Sequence, residues 1–311
     1  GFLWFFFSCS IEDPDLPRTA IWSMMADEVL GLGDAPVDSA HTAPASGTRF
    51  LPQRLPFFAW AAVILVIAAM HGDAICQILL RRCRLFRSEQ IVICLGTGLG
   101  VTSLLTLCCG LAGQLNKTAI LIPALASCTI SGGLRWKSRH ETSDQLAVLP
   151  GKQQSSSIIR TLVLLVVVPY TIYLLSGAVS PPTDFDVREY HLQGPKEWFQ
   201  QGQITFLPHN VYTSFPFLTE MLSLTGMIFA EDWWRGALVG QIVLATFQVL
   251  SAMCVFSIAR RWFCTDVAWL ATLIYLTTPW TLRISLIAYA EGSLAFYLIS
   301  STMCALLVPL V

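Results

Sequence analysis

The sequence predicts an all-α, polytopic membrane protein, and three observations support that fold class. Hydrophobic residues make up 54% of the 311 residues, and the mean hydropathy is +0.61. Charged residues make up only 13%, whereas an ordinary soluble domain has roughly 25%. Apolar runs recur along the chain, many near the roughly 20 residues that a spanning helix needs. A chain of this composition cannot cover a water-facing surface with polar side chains.

Seven apolar runs are candidate spanning helices, and they divide the chain into segments. They lie near residues 55–80, 89–112, 118–134, 161–179, 236–258, 264–281 and 289–311. The third and sixth are short, and the first three form a group at 55–134. Residues 1–54 are polar and rich in Pro, Gly, Ala and Ser, which predicts a flexible external segment. Because the chain begins at Gly1 and ends within an apolar run, we expect a fragment of a longer protein.

The distribution of lysine and arginine predicts the orientation of the helices in the membrane. The connections after the first, third and fifth runs hold 11 of the 19 Lys and Arg residues, namely Arg81, Arg82, Arg84, Arg87, Arg135, Lys137, Arg139, Lys152, Arg160, Arg260 and Arg261. Connections rich in these residues stay on the cytoplasmic side. The segment 135–160 is therefore a predicted cytoplasmic linker, and the segment 180–235 lies outside. We expect a multi-pass protein of a plasma membrane, such as a bacterial inner membrane.

The segment 180–235 is the long hydrophilic excursion between predicted spans. Its residues 184–198, DFDVREYHLQGPKEW, hold seven charged or histidine side chains in fifteen positions. Polar groups mixed with aromatic residues suit the membrane–water interface, and a simple connector would be shorter. We expect the segment to fold on the membrane surface as short helices at 187–192 and 196–201. Gly194 and Pro195 predict a break between the two helices.

Acidic side chains at the exit of the fourth predicted span suggest a reaction at the membrane surface. Asp184 and Asp186 follow Pro181 and Pro182 directly. A carboxylate in this place can take a proton from an attacking hydroxyl group. Cations can neutralise a departing phosphate, and the same segment offers Arg188, Lys196, His191 and His209. The alternative interpretation is that each of these charges is a solvated loop side chain.

The residues that follow Asp186 resemble a family signature. DVREYHL at 186–192 is similar to the Asp-x-x-x-Tyr-His-Leu pattern of some relatives of the protein O-mannosyltransferases. These relatives include the lipid A aminoarabinose transferases and bacterial family-39-like enzymes, all multi-spanning GT-C glycosyltransferases. The resemblance covers about residues 160–311 and continues at Trp198, Gly202, Pro208, Tyr212 and Pro216, and from Leu276 through Pro279 to Glu291 and Gly292.

The resemblance implies a GT-C-like helix bundle at 161–311 and assigns roles within it. In that family an acid of the first large external loop is the catalytic base, and the donor is a sugar on a polyprenyl phosphate. Asp186 would then be the base, and Tyr190 and His191 would shape the donor or acceptor pocket. Arg283 and Glu291 would reach the site from the later helices, Arg283 toward the phosphate. The acceptor would be a hydroxyl or phosphate group on a lipid, glycan or protein.

The sequence departs from the family pattern in three places. Val187 stands where many relatives have a second acid, and Asp184 is the residue that would substitute for it. Three predicted spans precede the one that leads into the loop, where relatives usually have one. The C-terminal spans of the relatives have no counterpart in this sequence. These departures leave the acceptor and the number of helices open.

Other functions stay open on the sequence alone. A transporter or flippase for a lipid-linked sugar would show internal repeats and broken helices at mid-membrane; we find no repeat, and the polar groups cluster in one external loop. A ligase or polymerase of surface polysaccharide would use a similar donor, and a structural membrane protein needs no chemistry. The net charge of −1 argues against nucleic acid as a partner. We expect no cofactor, because no cluster has zinc spacing, although Asp184 and Asp186 could hold a divalent ion.

Overall fold

The structure is a computed structural model that describes residues 50–80, 83, 85–141 and 156–307. The side chains of 50–53 and 138–141 lie outside that description. Every regular element in the described residues is helical, as the sequence predicts. Most of the predicted flexible segment 1–54, the centre of the predicted linker 135–160 and the last four residues lie outside the described residues.

The helices are numbered here in chain order. They are α1 Phe50–Leu79, α2 Arg87–Leu111, α3 Lys117–Glu141, α4 Ser157–Ala178, α5 Gln193–Gln201, α6 Glu220–Ala230, α7 Trp233–Trp262, α8 Thr265–Thr277, α9 Pro279–Ser285 and α10 Glu291–Leu307. A π-helical turn, Val187–His191, lies between α4 and α5, and a short 3-10 turn, Val211–Ser214, lies between α5 and α6. The predicted linker is shorter than expected, because α3 continues to Glu141 and α4 begins at Ser157.

Five helices are long and apolar enough to cross a membrane, so the chain is a multi-pass membrane protein. Their apolar parts are Arg54–Leu79, Arg87–Leu111, Lys117–Lys137, Ser157–Ala178 and Trp233–Trp262. At 1.5 Å of rise per residue, each exceeds the roughly 30 Å of a bilayer core. These five correspond, within a few residues at most ends, to the first five predicted spans.

The sixth predicted span, 264–281, is wrong as a single helix. The structure divides it into α8, which has 13 residues, and the short helix α9. The break falls at Thr278, whose backbone is extended, and Pro279 opens α9. Proline has no N–H to continue a helix and forces the residue before it into an extended conformation, whereas it suits the first turn of a new helix. The seventh predicted span contains α10, of 17 described residues.

Helix α6 corrects the view of 180–235 as a purely hydrophilic loop. Nearly all of its eleven residues are buried, and it packs antiparallel along the start of α7. Glycines allow this close packing. A Cβ atom on Gly236 would lie 2.1 Å from the Cα of Met227, and one on Gly226 would lie 2.5 Å from the Gly236 carbonyl oxygen. The two backbones therefore touch, and α6 is a fixed part of the bundle.

Helix α7 is the centre of the bundle. It packs against α2, α4, α6, α8 and α10. In its most apolar window 67% of the residues are buried inside the protein, compared with 11% for α4. Most of the exposed surface of α4 is apolar, as expected for a helix that faces lipid. Because α4 packs against α7, the residues that follow α4 leave the bundle next to both the lipid-facing helix α4 and the central helix α7.

A buried ion pair closes one end of the bundle. Arg261, in the last turn of α7, donates to both carboxylate oxygens of Glu89 on α2, at 2.7 and 2.6 Å. Glu89 also accepts from the backbone N–H of Phe86 at 2.8 Å, which caps the start of α2. Both charges are thus paired and hydrogen-bonded, as buried charges must be.

Candidate functional site

The candidate site begins where the chain leaves α4. Pro181 and Pro182 prevent the helix from continuing, and the backbone runs without regular structure to residue 184. The buried side chain of Gln241 on α7 donates to the carbonyls of Ala178 and Ser180, at 3.0 and 3.1 Å. The exit of α4 is therefore attached to the central helix, and the acids that follow it have a defined position.

The acids lead into the π-helical turn Val187–His191. The backbone N–H of Leu192 donates to the carbonyl of Val187 at 2.9 Å, which closes the wide turn. Val187 and His191 point inward and are buried, and the Nδ1 atom of His191 lies 2.6 Å from Oε1 of Glu220. Single π-turns are often found at functional sites. Here the buried contact between His191 and Glu220 attaches the turn to α6.

The predicted break at Gly194 and Pro195 is wrong. Helix α5 starts at Gln193 and runs through both residues, and the break lies earlier, at Leu192. The first-turn N–H groups of a helix have no partner within the helix, so a proline there costs no hydrogen bond. Gly194 is needed for packing, because a Cβ atom there would lie 3.1 Å from Thr213 and 3.4 Å from Phe217.

Asp184 forms an ion pair with a residue from the far part of the sequence. Arg283, on α9, donates through Nη2 to Oδ1 of Asp184 at 2.5 Å. The break between α8 and α9 turns the chain so that Arg283 reaches the exit of α4. The other oxygen, Oδ2 of Asp184, is buried and has no hydrogen-bond partner in the described residues. The arginine side chain itself is about half exposed, at 52%, and can also contact a ligand.

Asp186 is exposed and has neither a hydrogen bond nor an ion pair within the described part of the chain. Its charge nevertheless acts on two tyrosines. Burial, followed by the charges of Asp186 and Glu291, raises the pKa of Tyr190. Burial, with the charges of Asp184, Asp186 and Glu291, also raises the pKa of Tyr289, while Arg283 opposes this shift. Asp186 and Glu291 therefore share one electrostatic environment with both phenols.

Aromatic rings form one wall of this site. The rings of Tyr190 and Tyr212 stack with centroids 5.0 Å apart, and the ring of Tyr289 meets His191 edge-on at 5.4 Å. The turn that carries Tyr212 is fixed by Asn210, which donates to the Glu189 carbonyl at 2.8 Å. The candidate site is thus an open carboxylate, an arginine–carboxylate pair and a group of tyrosine side chains.

The structure brings together most of the site residues that the sequence predicts. Asp184, Asp186, Tyr190, His191, Tyr212, Arg283 and Glu291 belong to the group described above. Arg188 and Lys196 instead line a neighbouring cavity. His209 lies at the surface, and its Nε2 atom is 2.9 Å from Oε2 of Glu197. These three side chains therefore have other surroundings than Arg283, which pairs with Asp184.

Two residues of the site, Glu220 and Tyr289, were not expected from the sequence. In the sequence, Glu220 is one of seven acidic residues in the segment 180–235. The signal that could have singled it out is its place directly before the apolar residues 221–230, because an acid at the head of a buried helix needs a partner. Tyr289 carries no local signal, since its position depends on the turn between α9 and α10.

The described residues contain no group of three or more His, Cys, Asp or Glu side chains that could hold a metal ion. No protein-family model, no curated protein and no solved structure matches this chain. An open carboxylate can accept a proton, and the half-exposed Arg283 can hold an anion close to it.

Proposed function

We propose that this chain is a GT-C-type membrane glycosyltransferase with a GT-C-like helix bundle. It would move a sugar from a polyprenyl-phosphate donor to an acceptor on the external face of a plasma membrane. The observation that carries the proposal is the unpaired carboxylate of Asp186 beside the Asp184–Arg283 pair. Both lie at the exit of a long apolar helix. The signature-like residues 186–192 support the same interpretation.

The location of the site suits a substrate with a lipid tail. Helix α4 is mostly exposed and apolar, so a polyprenyl chain can lie against it within the bilayer. A phosphate at the end of that chain would then be at the level of Asp184 and Arg283. An arginine forms strong, charge-assisted hydrogen bonds to phosphate oxygens. Arg283 is well suited to this task, because its present partner occupies only part of its guanidinium group.

The proposed reaction is a direct displacement. Asp186 takes the proton from the acceptor hydroxyl as its oxygen attacks the anomeric carbon of the sugar. The bond between that carbon and the phosphate oxygen breaks, and polyprenyl phosphate leaves with the electron pair. Arg283 stabilises the charge that develops on the phosphate. A single displacement inverts the configuration at the anomeric carbon.

The tyrosines are suited to binding sugar hydroxyls. Because the pKa values of Tyr190 and Tyr289 are raised, both phenols stay protonated and can donate hydrogen bonds. The stacked ring of Tyr212 extends the aromatic wall. His191 lies beneath the wall and is held by Glu220, so it is a positioning residue for Tyr190 in this mechanism.

The test compares transfer by wild type and Asp186→Asn. Membranes that contain the full-length protein are incubated with labelled polyprenyl-phosphate sugars, and transfer to lipid, glycan and protein fractions is measured. We expect the variant to lose transfer by a factor of about 10² to 10⁴, the usual contribution of a general base. Glu231→Gln is the matched control. It makes the same change in an exposed acid whose partner is Lys117 at 2.7 Å, outside the site.

The outcomes separate the proposal from its rivals. Full activity of Glu231→Gln with loss in Asp186→Asn, at equal amounts of protein in the membrane, supports Asp186 as the base. Equal transfer in both variants would remove Asp186 from the mechanism. If wild type transfers no sugar from any donor, the glycosyltransferase proposal fails, and a flippase or a polysaccharide ligase becomes the better interpretation.

A further inference from the structure

The cavity lined by Arg188 and Lys196 lies beside the candidate site and is not used by the proposed reaction. It has a volume of about 590 Å³ and opens between the π-helical turn, α5 and the first turn of α7. Its most informative lining residues are Phe185, Arg188, Lys196, Trp233 and Trp234. The volume lies within the range of about 300–1,000 Å³ that is typical of small-ligand sites.

This cavity and the Asp186 site lie on different faces of the same segment. The residues of 185–196 that line the cavity are 185, 188, 189, 192, 193 and 196. Their spacing of three and four residues places them on one helical face. Asp186 and Tyr190 fall between these positions, and neither lines the cavity. The same segment therefore presents two sites on different faces. One site has the open carboxylate of Asp186, and the other has the cations Arg188 and Lys196.

The cavity carries more positive than negative charge. Arg188 is exposed and has no ion pair within the described residues, and Glu189 is the one acid among the lining residues. The Nζ atom of Lys196 lies 4.3 Å from the centre of the Trp233 ring. This cation–π contact holds the ammonium group in place and leaves its N–H groups available to a ligand. Two cations with free donors favour an anion.

The tryptophans indicate where that anion comes from. Trp233 and Trp234 begin α7, a spanning-length helix, and their rings meet edge-on at 5.7 Å. Phe185 is strongly exposed nearby, shortly after the end of α4. Tryptophans at the end of a spanning helix mark the level of lipid headgroups. The mouth of the cavity therefore lies at the height of the phosphates of the surrounding bilayer.

We infer that this cavity binds the phosphate-bearing headgroup of an anionic membrane lipid. Arg188 would donate two hydrogen bonds to the phosphate, a geometry that its guanidinium group favours. Lys196 would add a third contact, while the tryptophans and Phe185 lie against the glycerol and the upper acyl chains. The inference does not depend on the transfer reaction, because none of these residues is the base or faces the leaving group.

Lipid retention by the purified full-length protein tests the inference. The protein is equilibrated with micelles of equal amounts of phosphatidylglycerol and phosphatidylcholine, washed, and examined by native mass spectrometry. We expect wild type to retain phosphatidylglycerol in preference to phosphatidylcholine. The double variant Arg188→Gln/Lys196→Gln should retain about 30-fold less, since each of the two cations near an anionic headgroup contributes about 1 kcal/mol. Each single variant should show a smaller loss, so the test does not depend on the double variant alone.

Arg235→Gln is the matched control, because Arg235 is an exposed cation in the first turn of α7 that does not line the cavity. It should retain phosphatidylglycerol as wild type does. Equal retention by wild type and the double variant would overturn the inference, as would equal retention of the two lipids by wild type. Soluble glycerol phosphate is added in a separate arm. Complete displacement of the lipid by millimolar glycerol phosphate would show that the cavity recognises a free phosphate compound instead.

Discussion

Two arginine–carboxylate pairs in this molecule have the same chemistry and different surroundings. In the Glu89–Arg261 pair, the side chains are 1% and 11% exposed. In the Asp184–Arg283 pair, they are 16% and 52% exposed. Both carboxylate oxygens of Glu89 accept hydrogen bonds, whereas Oδ2 of Asp184 is buried without a partner in the described residues. Glu89 therefore has both its carboxylate oxygens hydrogen-bonded, whereas Asp184 has an oxygen without a partner in the described part of the chain, and Arg283 has an exposed part of its side chain that can bind another group.

This difference teaches which pair is structural. A buried pair is stable only while both partners are present, because a single buried charge has a large desolvation cost. In the Asp184–Arg283 pair the arginine is half exposed, so water screens the attraction and the pair contributes less to stability. Its arginine can therefore exchange a carboxylate for another anion at small cost. We interpret Glu89–Arg261 as a clamp between α2 and α7, and Asp184–Arg283 as a resting state of the site.

The largest effect is expected from Arg261→Gln, which removes one partner of the buried pair. Glu89 would remain in the interior without its counter-charge, which typically costs about 3–5 kcal/mol. The midpoint of thermal unfolding in detergent should fall strongly. In the double variant Glu89→Leu/Arg261→Met, no charge is left unpaired, so most of the stability should return. A midpoint for Arg261→Gln equal to that of wild type would show that the pair is not a clamp.

Arg283→Gln should have the opposite profile. Its unfolding midpoint should fall much less than that of Arg261→Gln, because Arg283 is half exposed and water screens its attraction to Asp184. Sugar transfer, measured as for Asp186→Asn, should fall about 10²-fold, as expected for a lost contact to the leaving phosphate. A large loss of stability with normal transfer per folded molecule would make Arg283 structural, and the contrast between the two pairs would disappear.

The smallest effect concerns the phenols of the open site. The folded-state pKa values of Tyr190 and Tyr289 are raised by burial and by nearby carboxylates, while unfolded tyrosine titrates at about 10. Stability from these groups is therefore complete below a pH of about 10 and declines as the pH rises through the raised values. Tyr190→Phe should show a weaker alkaline decline in its unfolding midpoint than wild type.

A second measurement sharpens this last prediction. Asp186→Asn removes one of the charges that raise both pKa values, so the ultraviolet titration of the site phenols should move toward the ordinary tyrosine value. If the titration of Asp186→Asn matches that of wild type, Asp186 does not share the environment of the tyrosines.

Much of the fold follows from composition and hydrophobic run length. The five long spans are recognisable because about 20 apolar residues in a row, in a chain with so few charges, are typical of a helix that crosses a bilayer. The break at Thr278 and Pro279 was missed, although the proline was a visible signal, because an apolar run continues on both sides of it. Helix α6 was missed because an eleven-residue helix is too short to span a bilayer, and polar residues surround it in sequence.

The sequence by itself determined that this protein is helical, that it crosses a membrane, and which segments carry the charges. Those properties are local, since they depend on residues within one turn or one run. Only the tertiary structure decided which charges are paired. Asp184 and Arg283 are 99 positions apart, and Glu89 and Arg261 are 172 apart, so helix packing alone brings them within a hydrogen bond. The packing of α7 against one face of this segment likewise forms a cavity that Arg188 and Lys196 line and Asp186 does not, although all three lie within eleven residues.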